Sequence, residues 1–268
     1  MTSDAPPPGA VRRERIIDLL TERPFVRVGD LSGVFGISEV TVRSDLDVLA
    51  RDGRVRRVRG GAVPGPIAQE HPYEEQQAEL PETKNAMGKL AASLITSGES
   101  VIFDVGTTTT AAARALVERR ELSGVTTFSN GLQVALELER AGDRLTVVVT
   151  GGTLRRLQHS LVGPMSTDLL RRIRANTVFL GCTGVDVGAG FTNLNLAETE
   201  VKRAMLAAAR RRIVLADGRK LGRVDLAQIC PINEADLLIT SSSADPGVVA
   251  ALRAQGLEIL IVEEPDLS

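Results

Sequence analysis

From Lys84 onward, seven short runs rich in Val, Ile and Leu alternate with helical stretches: Ser100 to Val105, Val125 to Ser129, Leu145 to Thr150, Thr177 to Gly181, Arg212 to Ala216, Ala235 to Thr240 and Leu257 to Val262. A strand with one wet face alternates apolar and polar residues, whereas a strand apolar along its length must be covered on both faces. Such runs separated by helices predict an α/β fold with a mostly parallel sheet between two helical layers. The chain of 268 residues is long enough to bury that sheet and still carry a smaller domain.

The first 63 residues have a different texture. Residues 1–9 hold three consecutive prolines and read as a disordered tail. From Val11 to Thr21, Ile16, Ile17, Leu19 and Leu20 lie among Arg12, Arg13, Glu14, Arg15 and Asp18, the pattern of an amphipathic helix that ends before Pro24. A second short helix fits Val28 to Phe35. Gly36 then tolerates positive φ, and Ser38 is a suitable N-cap for a third helix, Glu39 to Ala50, in which Val42, Leu46 and Leu49 share one face. After the Asp52-Gly53 turn signal, Arg54 to Arg59 reads as a basic β-hairpin that ends at Gly60-Gly61. Residues 64–82, with four prolines and many Glu and Gln, read as a linker, so the expected domains are 10–63 and 83–268.

The net charge of −2 hides an asymmetry: residues 1–63 carry 11 Arg against 9 Asp and Glu, whereas the rest carries 21 Lys and Arg against 25 Asp and Glu. A polyanion would be met at Arg51 to Gly60. Two cysteines and two histidines are too few, and wrongly spaced, for a disulfide framework or a zinc site, so no metal and no cofactor are expected. The chain lacks a long apolar run and its first ten residues lack the regions of a signal peptide, so a cytoplasmic protein with no membrane partner is expected.

Helix, short helix, Gly-containing turn, capped helix and basic hairpin form the order of a winged helix-turn-helix. Ser38, Glu39, Thr41, Val42, Arg43 and Ser44 would then meet base edges or phosphates in the major groove. Arg54, Arg56, Arg57 and Arg59 would meet phosphates, which position a protein without reading sequence. The pattern alone also fits a small interaction domain whose arginines form a solvated face. The wording is more specific: Val28-Gly29-Asp30-Leu31, Phe35-Gly36-Ile37-Ser38, Thr41 to Leu46 and Arg59-Gly60-Gly61-Ala62 closely resemble the DNA-binding domain of the DeoR family of bacterial transcriptional regulators. This sequence has Ser44 where many members carry a second arginine.

In the second part, the strand Val101 to Val105 runs into Gly106-Thr107-Thr108-Thr109-Thr110 and an Ala-rich helix, so that backbone N–H groups, hydroxyls and a helix dipole converge on a point that suits a phosphate. The same loop is also what an unliganded helix start looks like. Ser129-Asn130, Gly151-Gly152 and Gly184-Val185-Asp186 lie at predicted carboxyl ends of strands, the edge at which open α/β sheets bind ligands, although singly each reads as turn punctuation. Glu198 and Lys202 can be an ordinary i,i+4 surface pair, and Asp217 with Lys220 a polar turn.

Taken together, Asp104 to Thr108, Ser129-Asn130, Gly151-Gly152, Gly184 to Asp186, Glu198, Lys202 to Met205, Asp217 and Lys220 resemble the sensor domain of the same family, whose fold is similar to ribose-5-phosphate isomerase. The resemblance implies that Gly106, Thr107, Thr108 and Thr109 hold a phosphate, with Arg155 and Lys220 as counter-charges and Asp104, Asp186 and Glu198 facing sugar hydroxyls. Between Tyr73 and Lys84 the chain lacks an arginine common in the family. The implied function is a transcriptional regulator, a repressor of carbohydrate-metabolism genes, with a double-stranded DNA operator, a phosphorylated-sugar effector and a homodimeric or homotetrameric assembly. The alternative is a phosphosugar isomerase-like enzyme, since carboxylates and a lysine beside a phosphate loop suit proton abstraction next to a carbonyl; the attached DNA-binding domain argues against it, and no catalytic residue is assigned.

Overall fold

The structure, a computed structural model, describes residues 8–23, 25–51, 54–64 and 70–264. It divides into two compact units, residues 1–69 and 70–268. The first comprises α1 (Gly9–Glu22), β1 (Val26–Arg27), α2 (Val28–Phe35), α3 (Glu39–Arg51), β2 (Val55–Val58) and β3 (Gly61–Pro64). The helix α1 begins at Gly9, inside the tail expected over residues 1–9 and two residues before Val11; residues 1–7 and the Asp52-Gly53 turn lie outside the described residues.

Local chemistry sets these boundaries. Gly36 ends α2 in the left-handed region at φ 62°, a conformation a side chain would strain. The Ser38 hydroxyl accepts the Thr41 N–H at 3.2 Å and so caps α3. Ile16, Leu20, Leu31, Phe35, Val42, Leu46, Leu49 and Val55 close one core. Arg12 crosses to Asp45 at 2.5 Å, a buried pair that ties α1 to α3. The antiparallel sheet runs β1-β3-β2, with Gly61 opposite Arg27 so close that a Cβ there would lie 2.0 Å from the Val26 carbonyl oxygen.

The second unit opens with α4 (Tyr73–Ala78) and α5 (Pro81–Ser93), then β4 (Ser100–Phe103), α6 (Thr107–Glu118), β5 (Val125–Ser129), α7 (Leu132–Glu139), β6 (Leu145–Val149), β7 (Thr153–Arg155), β8 (Ser160–Val162) and α8 (Pro164–Arg171). It continues with β9 (Ala175–Gly181), β10 (Gly184–Asp186), β11 (Gly190–Asn193), α9 (Leu196–Ala208), β12 (Ala209–Leu215), β13 (Ala227–Cys230), β14 (Leu237–Ser241), α10 (Pro246–Ala254) and β15 (Glu258–Val262). The linker reading of residues 64–82 is therefore corrected. Pro64 pairs with Val55 in the hairpin, residues 65–69 lie outside the described residues, and residues 70–82 form part of the second unit.

Seven strands make one parallel sheet in the order β15-β14-β12-β9-β4-β5-β6. Both faces of the central strands are buried, as runs without alternation require, and the edge strands β6 and β15 are partly exposed. Val101, Phe103, Phe179, Ile213 and Leu215 pack with residues of α5, α6 and α7, whereas Ile102, Val178, Leu180 and Val214 pack with residues of α8, α9 and α10. The chain starts at β4, moves outward through β5 and β6, and returns beside β4 as β9 before moving out the other way. That reversal is a topological switch point, where the loops leaving adjacent strands part and open a crevice. The small antiparallel sheets β10-β11-β13 and β7-β8 complete the unit.

Candidate functional site

On the first unit, burial decides which face of α3 is offered outward. Ser38, Glu39, Arg43 and Ser44 are exposed and Thr41 is half-buried. Val42 is not available: it is fully buried in the core with Leu46 and Leu49, so its place among base-reading residues is corrected. The same helical period turns Val40 outward, 72% exposed. The sequence reading passed over this residue, although an apolar side chain in the first turn of a groove helix is what a thymine methyl meets.

Arg43 folds back onto Glu39 at 2.5 Å, and both are half exposed, so a base must compete only with a solvent-screened pair. Arg57 donates to the Arg43 carbonyl at 3.2 Å and pairs with Asp47 at 3.4 Å, which fixes the hairpin to α3. Arg56 and Arg59 are exposed, and Arg54 is half-buried.

On the second unit, the switch point is occupied by charge. Asp104 leaves the end of β4 and is fully buried; one carboxylate oxygen accepts the Gly181 N–H at the end of β9 and the Lys202 ammonium from α9. Lys202 also donates to the Gly181 carbonyl at 3.0 Å. The other oxygen, Oδ1, is buried without a hydrogen-bond partner, which costs free energy until a donor reaches it. Burial works against the charge on Lys202, but the Asp104 and Glu198 carboxylates outweigh it, so its pKa lies above the ordinary lysine range and it stays protonated.

Glu198 and Lys202 are not a surface pair. Both are buried, and while Lys202 goes to Asp104, Glu198 accepts from Arg155 and from the Ser160 hydroxyl at 2.6 Å. Beside them α6 begins at Gly106 with no side chain capping it, leaving its first N–H groups open. The hydroxyls of Thr109 and Thr110 donate back to the Gly106 carbonyl at 2.8 and 2.7 Å, Thr108 is buried and Thr107 half-buried. The Thr109 and Thr110 hydroxyls are thus spent inside the helix start, and the backbone N–H groups of the first turn remain as donors.

Other expected residues hold loops in place. Asn130 is fully buried; its oxygen accepts the Val105 N–H and its amide donates to the Leu161 carbonyl. Ser129, equally buried, accepts the Gly131 N–H. Both thus pin the crevice wall. At Gly152, φ is 121° and a Cβ would fall 2.5 Å from the Val162 carbonyl oxygen, so Gly151-Gly152 lets two loops approach closely. Asp186 closes its own turn by accepting the N–H groups of Gly188 and Ala189, both at 2.8 Å.

Asp217 is buried after β12; burial pushes its pKa up, but Lys220, 3.6 Å away, and Arg219 hold it below the usual carboxylate range. Its Oδ2 lacks a hydrogen bond. Lys84 on α5 is pushed down to about 8, by burial and then by the nearby Lys220 charge. Among the described residues no cluster of three or more His, Cys, Asp or Glu is placed to hold a metal, and no helix is long and apolar enough to cross a membrane.

The residues missed by sequence are those of the supposed linker. Glu70 grips Arg155 with both oxygens, at 2.5 and 3.2 Å. Tyr73, 2% exposed, donates to the Thr110 hydroxyl at 3.0 Å, and its ring meets His159 edge-on at 5.7 Å. Glu74 reaches His159 at 2.7 Å, and Lys84 donates to the Gln76 carbonyl.

Residues 12–64 match the model of the DeoR-like helix-turn-helix domain and residues 79–242 that of the DeoR C terminal sensor domain. The HTH-type transcriptional regulator GlpR of Haloferax volcanii is 33% identical over 252 residues, 94% of this chain and 97% of that one. A putative aga operon transcriptional repressor of Escherichia coli O157:H7 is 33% identical over 256 residues, 94% of each. Among solved structures, a D-ribose-5-phosphate isomerase in complex with phospho-erythronic acid covers 53% of this chain and 55% of its own at 19% identity and a TM-score of 0.40, a likeness too slight to bear on chemistry.

Proposed function

Since the chain belongs to the DeoR family of transcriptional regulators, with both the DNA-binding and the sensor domain present, we propose that it is a repressor of carbohydrate-metabolism genes whose operator affinity is set by a phosphorylated sugar. The DNA half rests on the outward face of α3 and the arginines of the hairpin. Arg43 is the residue suited to a guanine, and Arg54, Arg56, Arg57 and Arg59 to phosphates.

For the effector, one observation carries the reading: Asp104 Oδ1 is buried and without a partner at the switch point, next to an uncapped helix start. A phosphate on the N–H groups of Gly106, Thr107, Thr108 and Thr109, with Arg155 and Lys220 as counter-charges, leaves sugar hydroxyls to satisfy Asp104 and Glu198. Lys202, Ser129 and Asn130 position that wall, and Asp217 pairs with Lys220 at 3.6 Å. The attached DNA-binding unit, for which an enzyme acting on a sugar phosphate has no use, favours binding over turnover.

Ligand binding changes DNA affinity only if the two states of the protein bind the sugar phosphate differently, and a typical coupling is about 1–3 kcal/mol. In a homodimer or homotetramer assembled through the sensor units, a small change in the spacing of two readers suffices, because half-site spacing on DNA is fixed. An electrophoretic shift of the gene's own upstream region at low salt, repeated with a panel of sugar phosphates, tests both halves. A shift that one of them weakens or strengthens supports the reading; no shift at all removes the DNA half, and a shift indifferent to every sugar phosphate removes the effector half.

A further inference from the structure

The segment that leads from the first unit into the second is fastened onto the proposed effector site at both of its halves. Glu70, the first residue of the second unit, places a carboxylate on the fork of Arg155, the guanidinium that Glu198 holds from the other side. Three residues on, Tyr73 donates to the Thr110 hydroxyl, which donates to the Gly106 carbonyl in the phosphate loop itself.

Most of the segment's remaining ties are polar. Gln158 donates to the His71 carbonyl, the Tyr73 N–H reaches the Leu157 carbonyl at 2.9 Å, and Glu74 meets His159. Apart from Tyr73, no large apolar side chain between residues 70 and 80 is buried, and α4 has only six residues. A segment held by one ring and several exchangeable polar contacts opens at a small free-energy cost.

We propose that Glu70 is an internal stand-in for the effector's anion: it occupies Arg155 in the ligand-free protein, and a phosphate ester that takes Arg155 expels it, unfastening residues 70–80. The proposal rests on the effector reading above and adds how the site is coupled to the rest of the chain. Charge favours the exchange. Arg155 faces one carboxylate that belongs to the rigid body, Glu198 on α9, and one that belongs to the segment, so replacing Glu70 by an external anion keeps Arg155 paired on both sides. A phosphate offers the same planar fork two oxygens and more charge. Because the segment is the covalent connection to the DNA-binding unit, its release is the event that a bound sugar phosphate transmits.

The chain contains one tyrosine and no tryptophan, so its intrinsic emission reports Tyr73 alone. The experiment measures acrylamide quenching of that emission, and calorimetric binding of inorganic phosphate, glycerol 3-phosphate and fructose 6-phosphate, in the full-length protein, in Glu70→Gln and, as a nearby control, in Glu82→Gln, an exposed carboxylate outside the segment. In the wild type a bound probe raises quenching. Glu70→Gln is expected to be more quenchable without any probe and to bind the probe roughly tenfold more tightly, because the competing ion pair no longer holds the site closed; Glu82→Gln behaves as the wild type. Equal affinity in wild type and Glu70→Gln, with Tyr73 shielded in both, overturns the latch and leaves the effector site standing. No binding of any probe to either protein removes the site and the latch with it.

Discussion

The buried pair of Lys202 and Asp104 makes a quantitative prediction. The two side chains are 3% and 0% exposed, and their surroundings differ: Lys202 has a second counter-charge in Glu198, whereas Asp104 has no other cation among its interactions. Removing one partner of a buried pair costs about 3–5 kcal/mol. Asp104→Asn leaves Lys202 facing Glu198 and the Gly181 carbonyl, so its cost falls near the low end, about 3 kcal/mol. Lys202→Met leaves two buried carboxylates without their ammonium, so its cost falls near the high end, about 5 kcal/mol. That variant recovers as the pH falls, because burial already pushes the Asp104 pKa up and without the ammonium the carboxyl takes a proton more readily. The double variant removes both charges and costs less than the sum of the singles. Urea unfolding followed by circular dichroism reads these losses. Equal losses for the two single variants, or strict additivity in the double, would refute the reasoning.

Val42→Ala is expected to lower the stability of the first unit by opening its core, whereas Arg43→Ala leaves stability unchanged and relaxes preference at one base pair by about 1–3 kcal/mol in an operator-variant binding assay. Arg56→Ala is expected to weaken binding to all sequences alike and to flatten the slope of log K against log salt by about 1, which titrations at several salt concentrations will show. For Lys84, the folded-state pKa of about 8 lies below the ordinary lysine value of 10.5. The unfolded chain therefore binds more protons between those values, and the stability of the wild type relative to Lys84→Met rises with pH across that window. Denaturant melts followed by circular dichroism from pH 8 to 10 check the sign.

The parts of the fold that were legible are those in which local pattern and tertiary demand agree. The seven apolar runs became the seven parallel strands because a sheet covered on both faces selects apolar residues at successive positions. Val28–Phe35 was legible from its glycine stop. The three- and four-residue strands β7, β8, β10 and β11 were not, since so short a run has no period. The segment after residue 69 was misread for a related reason. Its prolines, Glu and Gln match a solvated linker, and what makes Glu70 and Glu74 structural is the partners 85 residues away. Tyr73 was the available signal, a lone ring in a polar stretch of a chain with 3% aromatics. Glu198 and Lys202 show the limit of spacing arguments: i,i+4 placed them on one side of α9, but burial sent each to a different element.

The central claim is that a phosphorylated sugar bound by the second unit alters the DNA affinity of the first. It is tested most directly by titrating a fluorescent fragment of the gene's own upstream region with the full-length protein, with and without each of a panel of sugar phosphates and their unphosphorylated sugars. At least one phosphate ester is predicted to change operator affinity roughly 5- to 150-fold, with no effect of its unphosphorylated counterpart. An operator affinity that is measurable and unmoved by every phosphate ester would contradict the claim.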